Sequence, residues 1–147
     1  MKFLESLPMD VPVVLLQQAD PSIENIHSYL DDGLCYVVKD NDRTLAACIV
    51  QIENQQAEIQ NISVLPDLQG KGIGDGLLRF TIDQLKQKGV TRVELGTGSF
   101  GYQLTFYQRA GFRVHSIVKD HFLKRYANPI IENGIQHKDM IRLYLDL

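Results

Sequence analysis

A glycine-dense loop joins a β-rich run to a long helical pattern, and it constrains the fold more than any other stretch. Residues 57–64 are typical of a strand, and the loop occupies residues 69–74. From Ile73 to Leu85 apolar residues recur every three or four positions, which predicts an amphipathic helix. Glycines allow close approach of backbone to a ligand, and the first N–H groups of a helix lack internal partners. The stretch therefore predicts an anion-binding turn suited to a phosphate.

The spacing of the loop excludes two common phosphate-binding motifs. A Walker loop requires Gly-Lys followed by Ser or Thr, whereas Gly70-Lys71 is followed by Gly72. A dinucleotide fingerprint requires a third glycine three positions after the second. Counting from Gly70 places Asp75 at that position, and counting from Gly72 places Leu77 there. The loop needs another interpretation.

Composition limits the partners and the compartment. The chain has 147 residues, of which 44% are hydrophobic, and we expect one globular domain over residues 1–147. Its net charge is −3 and it has no dense Lys/Arg run, so we expect no nucleic-acid partner. We also expect no membrane association and a cytoplasmic location, because no apolar run approaches the roughly 20 residues that span a bilayer.

Cys35 and Cys48 are the only cysteines, too few for a disulfide framework or a zinc site. If the strands around them are joined by a two-residue turn at Asn41-Asp42, the two cysteines face each other. We still expect free thiols, because the cytoplasm is reducing and Cys is a common small core residue.

The chain in order predicts an α/β fold with the element order β-α-β-β-β-α-β-α-β-β. A first strand is expected within residues 9–17, and Asp20 is expected to cap the helix that follows. The long helix should form a parallel crossover between two strands. The remaining expected elements are a helix at 22–30, strands at 34–39, 43–52 and 57–64, a helix at 73–88, a strand at 91–96, a helix at 103–109, a strand at 112–118, a loop-rich segment at 120–134 and a strand at 139–145.

Two motifs carry a resemblance to a known family. The loop, residues 69–74, matches Gln-x-x-Gly-x-Gly, and residues 107–112 match Tyr-x-x-x-Gly-Phe about thirty residues downstream. Together they resemble the GNAT superfamily of N-acetyltransferases. The resemblance implies a mixed, mostly antiparallel sheet of six or seven strands that is splayed in the middle, with helices on both faces. Residues 128–134 and 138–140 also resemble an uncharacterised bacterial branch of that family.

The resemblance implies acetyl-CoA as co-substrate and no metal. The pyrophosphate would lie against the backbone N–H groups of the loop, and the pantetheine arm would pair with the backbone of the preceding strand. Lys71 either supplies local positive charge or is a solvated loop lysine, and Gln69 either donates to the ligand or caps the loop. The cofactor-binding residues so implied are Ile62, Ser63, Val64, Gln69, Gly70, Lys71, Gly72, Ile73, Gly74 and Asp75.

The implied chemistry is direct attack of an amine on the thioester. Tyr107 matches the family's general acid, which protonates the departing thiolate; the alternative is a core tyrosine near a helix end. Glu94 or Glu58 is a candidate base, each of which could equally be a structural or solvated carboxylate. Metal-ligand and triad spacings are absent around three histidines, which we expect at the surface or in loops: His115, His121 and His137.

One residue departs from the family pattern. Many relatives carry an asparagine about seven residues before the tyrosine, where it contacts the cofactor, and this chain has Phe100 there. This departure keeps a second hypothesis open, namely a non-catalytic module that binds acyl-CoA as a sensor or partner subunit. The acceptor would be a small-molecule or peptide amine, selected by the helix at 22–30 and the loop at 120–134. The sequence leaves open whether the chain forms a homodimer.

Overall fold

A computed structural model describes residues 1–147, which form two compact units, residues 1–93 with Leu147 and residues 94–146. The first unit holds β1 (Lys2–Ser6), α1 (Val13–Leu16), α2 (Ile23–Leu30), β2 (Leu34–Asp40), β3 (Arg43–Glu53), β4 (Gln56–Val64) and α3 (Ile73–Gln87). The strand β5 (Arg92–Gly98) begins in the first unit and ends in the second. The second unit also holds α4 (Tyr102–Arg109), β6 (Arg113–Val118), α5 (His121–Arg125), β7 (Ile131–Glu132), β8 (Ile135–Gln136) and β9 (Met140–Asp146).

Antiparallel pairing dominates both units. In the first unit β1, β2, β3 and β4 are sequential antiparallel neighbours, and in the second unit β6 pairs with β9 and β7 with β8. The main sheet has seven strands, which confirms the expected size. None of the helices is both long enough and apolar enough to cross a membrane.

The core of the first unit lies on both faces of its antiparallel strands. The helix α3 packs on β2, β3 and β4 through the fully buried Leu77, Leu78 and Leu85. A second cluster joins α1 and α2 to β2 and β3, and its fully buried members include Leu16 and Ile26. The predicted stripe of α3 is thus confirmed, because the apolar positions that define it are the buried ones.

The strand expected within residues 9–17 is wrong. Residues 8–10 form a 3-10 turn and α1 follows, with Pro12 immediately before the helix, where its missing N–H costs nothing. The buried residues of this helix are Leu15 and Leu16. The true first strand, β1, is a short strand with charged residues that pairs with β2, from Lys2 opposite Lys39. Its few apolar residues gave no periodicity to detect.

The cap expected for α2 is also displaced. Ser22 occupies the N-cap, and its Oγ accepts a hydrogen bond from the backbone N–H of Asn25 at 3.1 Å. Asp20 instead accepts from the backbone N–H of Ser22 at 3.1 Å, outside the helix. Both residue types are good caps, and Pro21 between them moved the start of the helix by two positions.

A bulge decides the environment of the two cysteines. The turn at Asn41-Asp42 is confirmed, because Asp40 pairs with Arg43. The register then shifts between Val38 and Lys39, so Cys35 lies opposite Ile49 rather than opposite Cys48. Both thiols are free and buried, and burial raises the pKa of each to about 12.

The buried thiols predict a loss of stability in alkali. In the unfolded chain they ionise near the ordinary value of 9.0, whereas the folded protein keeps both protons to about pH 12. Stability is therefore complete below pH 9 and falls as the pH rises, by about 1–3 kcal/mol between pH 8 and 10. Urea unfolding at the two pH values measures this loss.

The control is the double variant Cys35→Ala, Cys48→Ala, measured at the same two pH values. It should be less stable than the parent protein at pH 8, because two buried side chains are truncated, but its stability should fall less towards pH 10. An equal fall in both proteins would contradict the assignment of the alkaline loss to the thiols.

Candidate active site

The strand β4 changes its register just before the residues implied in cofactor binding. Gln60 has no partner on β3, because Ile59 and Asn61 on either side of it pair with consecutive residues of that strand. A bulge of this kind bends a strand and increases its local twist. Of the predicted residues that follow, Ile62 and Ser63 are buried and Val64 is half-buried.

A buried network of hydrogen-bonded polar side chains links β4 to α1 and α2. Asn61 Nδ2 donates to Tyr29 Oη at 3.0 Å and to the carbonyl of Leu16 at 2.9 Å. Ser63 Oγ donates to Asn61 Oδ1 at 2.6 Å, and Tyr29 Oη donates to Asp20 Oδ2 at 3.1 Å. Since the hydroxyl of Ser63 is used within the protein, any contribution of that residue to a ligand falls to its backbone.

The glycine loop adopts the backbone conformation that only glycine takes easily. Gly70 and Gly72 have φ of +76° and +85°, and Gly72 is the N-cap of α3 in the left-handed region. A methyl group at either position would meet no atom within 4 Å, so the requirement is conformational and the loop is open on that side. Gln69 lies at the base of the loop, and its Nε2 donates to the carbonyl of Val64 at 3.0 Å. The side chain of Gln69 thus ties the loop to the end of β4.

The first turn of α3 is free of side-chain caps. No side chain accepts from its first N–H groups, which include those of Ile73 and Gly74. Asp75, the acid in this turn, accepts from Arg79 at 2.9 Å across one turn of the exposed helix surface. Lys71 is exposed and makes no ion pair. The helix N-terminus therefore offers backbone donors and one unpaired cation to an anion.

Tyr107 is fixed in the second unit by the motif that contains it. Gly111 has φ +103° and ends α4, and the N–H of Phe112 returns to the carbonyl of Tyr107 at 3.1 Å. The rings of Tyr107 and Phe112 are 5.8 Å apart in an edge-to-face contact, and Tyr107 is 5% exposed. The Tyr-x-x-x-Gly-Phe motif is thus a helix end that immobilises its tyrosine.

The two candidate bases differ in their surroundings. Glu94 on β5 is about one-fifth exposed, and its Oε1 lies 3.3 Å from Arg142 Nη2 on β9. This ion pair engages the carboxylate of Glu94 within the protein. Glu58 lies half-buried near the start of β4. The catalytic roles of both stay predictions.

His137 lies in a loop, one of the two places expected for it, but it is buried, with only 6% of the residue exposed. Its Nε2 is 2.8 Å from Glu132 Oε1, while its Nδ1 is buried without a partner. The imidazole stacks on Phe100 at 4.1 Å between ring centroids and 10° between planes. Phe100, which stands where many relatives have an asparagine, thus packs against a buried histidine.

The other two histidines differ from His137. His115 is exposed. Burial, together with the nearby Arg125 and Arg142, lowers the pKa of the half-buried His121.

The hairpin of β7 and β8 was missed in the segment predicted to be loop-rich. Asn133 and Gly134 join its strands with φ of 54° and 78°, the two positive values of a type I′ turn. Asn-Gly between short apolar stretches is a strong hairpin signal, so the sequence contained what was needed to find it. No group of three or more His, Cys, Asp or Glu side chains could hold a metal ion.

The family assignment follows from comparison with known proteins. Residues 31–114, which include β4, the glycine loop, α3 and Tyr107, match the model of the acetyltransferase (GNAT) domain. The chain belongs to the GNAT family. It is 44% identical to YvbK, an uncharacterized N-acetyltransferase of Bacillus subtilis, over 90% of this chain and 87% of that protein. The expected likeness to an uncharacterised bacterial branch of the family is thereby confirmed.

Solved structures of GNAT proteins confirm the fold over nearly the whole chain. An IAA acetyltransferase from Bacillus cereus aligns with a TM-score of 0.94 and 40% identity, covering 99% of both chains. A GNAT acetyltransferase from Elizabethkingia anophelis, solved with acetyl-CoA bound, aligns with a TM-score of 0.93 and 36% identity over 99% of this chain and 97% of that one. The α/β GNAT fold predicted from the motifs is therefore correct.

The conformation of Gly72 predicts a sharp difference between two substitutions. Gly72→Ala should lower the free energy of unfolding by about 1–2 kcal/mol, because an L-residue with a Cβ is strained in the left-handed region. Gly72→Asn should cost less, since Asn visits that region more readily. Urea unfolding of both variants measures the difference, and equal costs would show that Gly72 is needed for some reason other than its φ angle.

Proposed function

We propose that this protein transfers the acetyl group of acetyl-CoA to a primary amine by direct attack of the amine on the thioester. The observation that carries the proposal is the open, uncapped N-terminus of α3, preceded by the left-handed Gly70 and Gly72 in the segment that follows β4. Membership of the GNAT family supports the same reaction. The buried thiols Cys35 and Cys48 suit a reducing compartment, and we place the reaction in the cytoplasm.

In this proposal the backbone holds the cofactor. The N–H groups of residues 70–75 bind the pyrophosphate, with a helix-dipole contribution of about 0.3–1 kcal/mol. Lys71 adds an exposed positive charge. The backbone of Ile62, Ser63 and Val64 binds the pantetheine arm and the thioester carbonyl, while the hydroxyl of Ser63 stays bonded to Asn61. A backbone N–H aimed at the developing oxyanion can contribute about 2.7–4 kcal/mol to lowering the barrier.

Tyr107 completes the reaction as general acid. The neutral amine attacks the thioester carbon, a C–N bond forms, and the C–S bond of the tetrahedral intermediate breaks. The departing thiolate takes the phenolic proton of Tyr107. The fixed position of this side chain, held by Phe112 and by the end of α4, suits a proton donor that must not move. Glu58 or Glu94 would accept the proton of the amine through water.

A second candidate function is a binding module that holds acyl-CoA without turnover. Phe100, in the place of an asparagine that contacts the cofactor in relatives, favours it. The ring of Phe100 is used for stacking on His137 and offers no hydrogen bond. Both functions require acetyl-CoA binding, whereas only the enzyme requires Tyr107.

Binding of acetyl-CoA should raise the melting temperature. At a ligand concentration of 100 Kd the stabilisation is about 2.7 kcal/mol, which corresponds to roughly 5–10 °C for a chain of this size. ATP at the same concentration should give no comparable shift, because the loop lacks the Walker spacing. Thermal unfolding followed by circular dichroism measures both. A shift with ATP and none with acetyl-CoA would overturn the proposed function.

Tyr107→Phe should lower kcat by about 10²–10⁴-fold, the usual contribution of a general acid, and leave acetyl-CoA affinity nearly unchanged. The matched control is Tyr102→Phe on the same helix, where the side chain is 65% exposed, and it should retain full activity. Release of free thiol from acetyl-CoA, tested with a panel of amines, gives the rates. Tight acetyl-CoA binding with no turnover of any amine would favour the binding module.

A further inference from the structure

Glu132 and His137 form a dyad at the end of the β7–β8 hairpin. Glu132 Oε1 lies 2.8 Å from His137 Nε2, and the backbone N–H of His137 donates to the carbonyl of Ile130 at 2.8 Å. The hairpin is closed by the type I′ turn at Asn133-Gly134. The carboxylate and the imidazole are thus fixed to one rigid piece of backbone.

The buried nitrogen of His137 indicates which way the hydrogen bond runs. A proton on Nδ1 would lie in the interior with no acceptor, because that atom is buried and unpartnered. Leaving a buried donor unsatisfied costs about 1–3 kcal/mol, which favours the tautomer with its proton on Nε2. In that tautomer the Nε2–H of His137 donates to Glu132 and orients its carboxylate.

Two glycines and one aromatic ring hold the dyad in place. His137 stacks on Phe100, and its ring lies so close to Gly98 that any side chain there would collide with it. The carboxylate of Glu132 covers Gly101, where a Cβ would lie 2.5 Å from Oε2. Since Gly101 is the N-cap of α4, Glu132 is positioned directly at the start of the helix that carries Tyr107.

Glu132 differs from the other carboxylates of the second unit whose contacts are known. Glu94 is paired with Arg142, and Asp139 accepts from the backbone N–H of Asp120 at 2.8 Å. The side chain of Glu132 is 41% exposed and has no Lys or Arg partner. It is therefore an oriented, accessible carboxylate whose charge no protein cation neutralises, which is what recognition of a cationic ligand requires.

We propose that Glu132, oriented by His137, recognises the ammonium group of the acceptor and removes its first proton, so that acceptors are alkylamines that are cationic at pH 7. This inference rests on the proposed acetyl transfer. Gly101, which the Glu132 carboxylate covers, and Tyr107 are six residues apart, or about 9 Å along the axis of α4. In this proposal Glu132, rather than Glu94 or Glu58, accepts the proton of the amine. His137 is a positioning residue.

The proton balance closes with these groups. The ammonium passes one proton to the Glu132 carboxylate, which releases it to solvent, and the neutral amine attacks the thioester carbon. As the C–S bond breaks, the thiolate receives the proton of Tyr107. The second proton lost by the nitrogen on amide formation restores the phenol through solvent. The products are the acetamide, free CoA thiol and one proton.

The test compares an alkylamine with an arylamine, which is uncharged at pH 7. Glu132→Gln should lower the ratio of kcat/KM for the alkylamine over that for the arylamine by about 10- to 100-fold, the range expected for loss of a charged hydrogen bond. The control Glu53→Gln removes the same charge from an exposed position at the end of β3 and should leave the ratio unchanged.

The role of His137 is tested by a pair of variants. His137→Phe preserves the stack on Phe100 but removes the donor to Glu132, so it should lower the same ratio, mainly through a higher KM for the alkylamine. His137→Gln restores a donor and should recover most of the ratio. A purely structural role would instead reduce both substrates equally. If His137→Phe fails to fold, Glu132→Gln against Glu53→Gln decides alone.

Direct binding separates this inference from the proposed function. The ¹⁵N signals of the His137 imidazole should shift on titration with an alkylammonium ion in the parent protein but not in Glu132→Gln. Turnover with an unchanged ratio in Glu132→Gln would overturn the inference and leave the acetyl transfer intact. Absence of turnover with any amine would overturn the acetyl transfer and the role of Glu132 as proton acceptor. Recognition of the ammonium group by Glu132 would then be supported if the signals shift and overturned if they do not.

Discussion

The left-handed conformation of Gly72 is the constraint on which the proposed cofactor loop of the first unit depends. Gly72 ends the segment that joins β4 to α3, and as an N-cap without a side chain it leaves the first N–H groups of the helix without a side-chain cap. Gln69 holds the other side of the turn by donating to Val64. Because the donors belong to the backbone, their direction is set by the fold rather than by side-chain rotamers, which is the preorganisation that phosphate and oxyanion binding require.

The two side chains proposed to move protons in the reaction are both held by neighbours within the second unit. Tyr107 is held by a helix end and an edge-to-face ring contact, and Glu132 is held by a buried histidine. In the proposed reaction each of these groups is oriented by a neighbour that a ligand does not need to touch. Such supporting contacts keep a reactive group within the small range of positions that fast chemistry allows.

Features that depend on residues close together in the chain were predictable from the sequence, whereas features that depend on contacts between distant residues were not. The helix α3 and its loop followed from periodicity and glycine spacing, both of which act within a few residues. The first strand was misplaced because a run rich in Val and Leu suits a strand or a short helix, and only the burial of Leu15 and Leu16 decides between them. The burial of His137 depends on Gly98 and Phe100, which are distant in the chain. The β7–β8 hairpin, by contrast, was available from Asn133-Gly134 and was overlooked.

The one-residue bulge between Val38 and Lys39 has a consequence for chemistry outside the site. Without it, Cys35 and Cys48 would face each other on neighbouring strands; with it, Cys35 faces Ile49 and Cys48 faces Tyr36. Directly opposed thiols on adjacent strands invite oxidative cross-linking, whereas thiols out of register on successive side-chain positions point to opposite faces of the sheet. The irregular register therefore keeps the two thiols from pairing with each other in the folded chain.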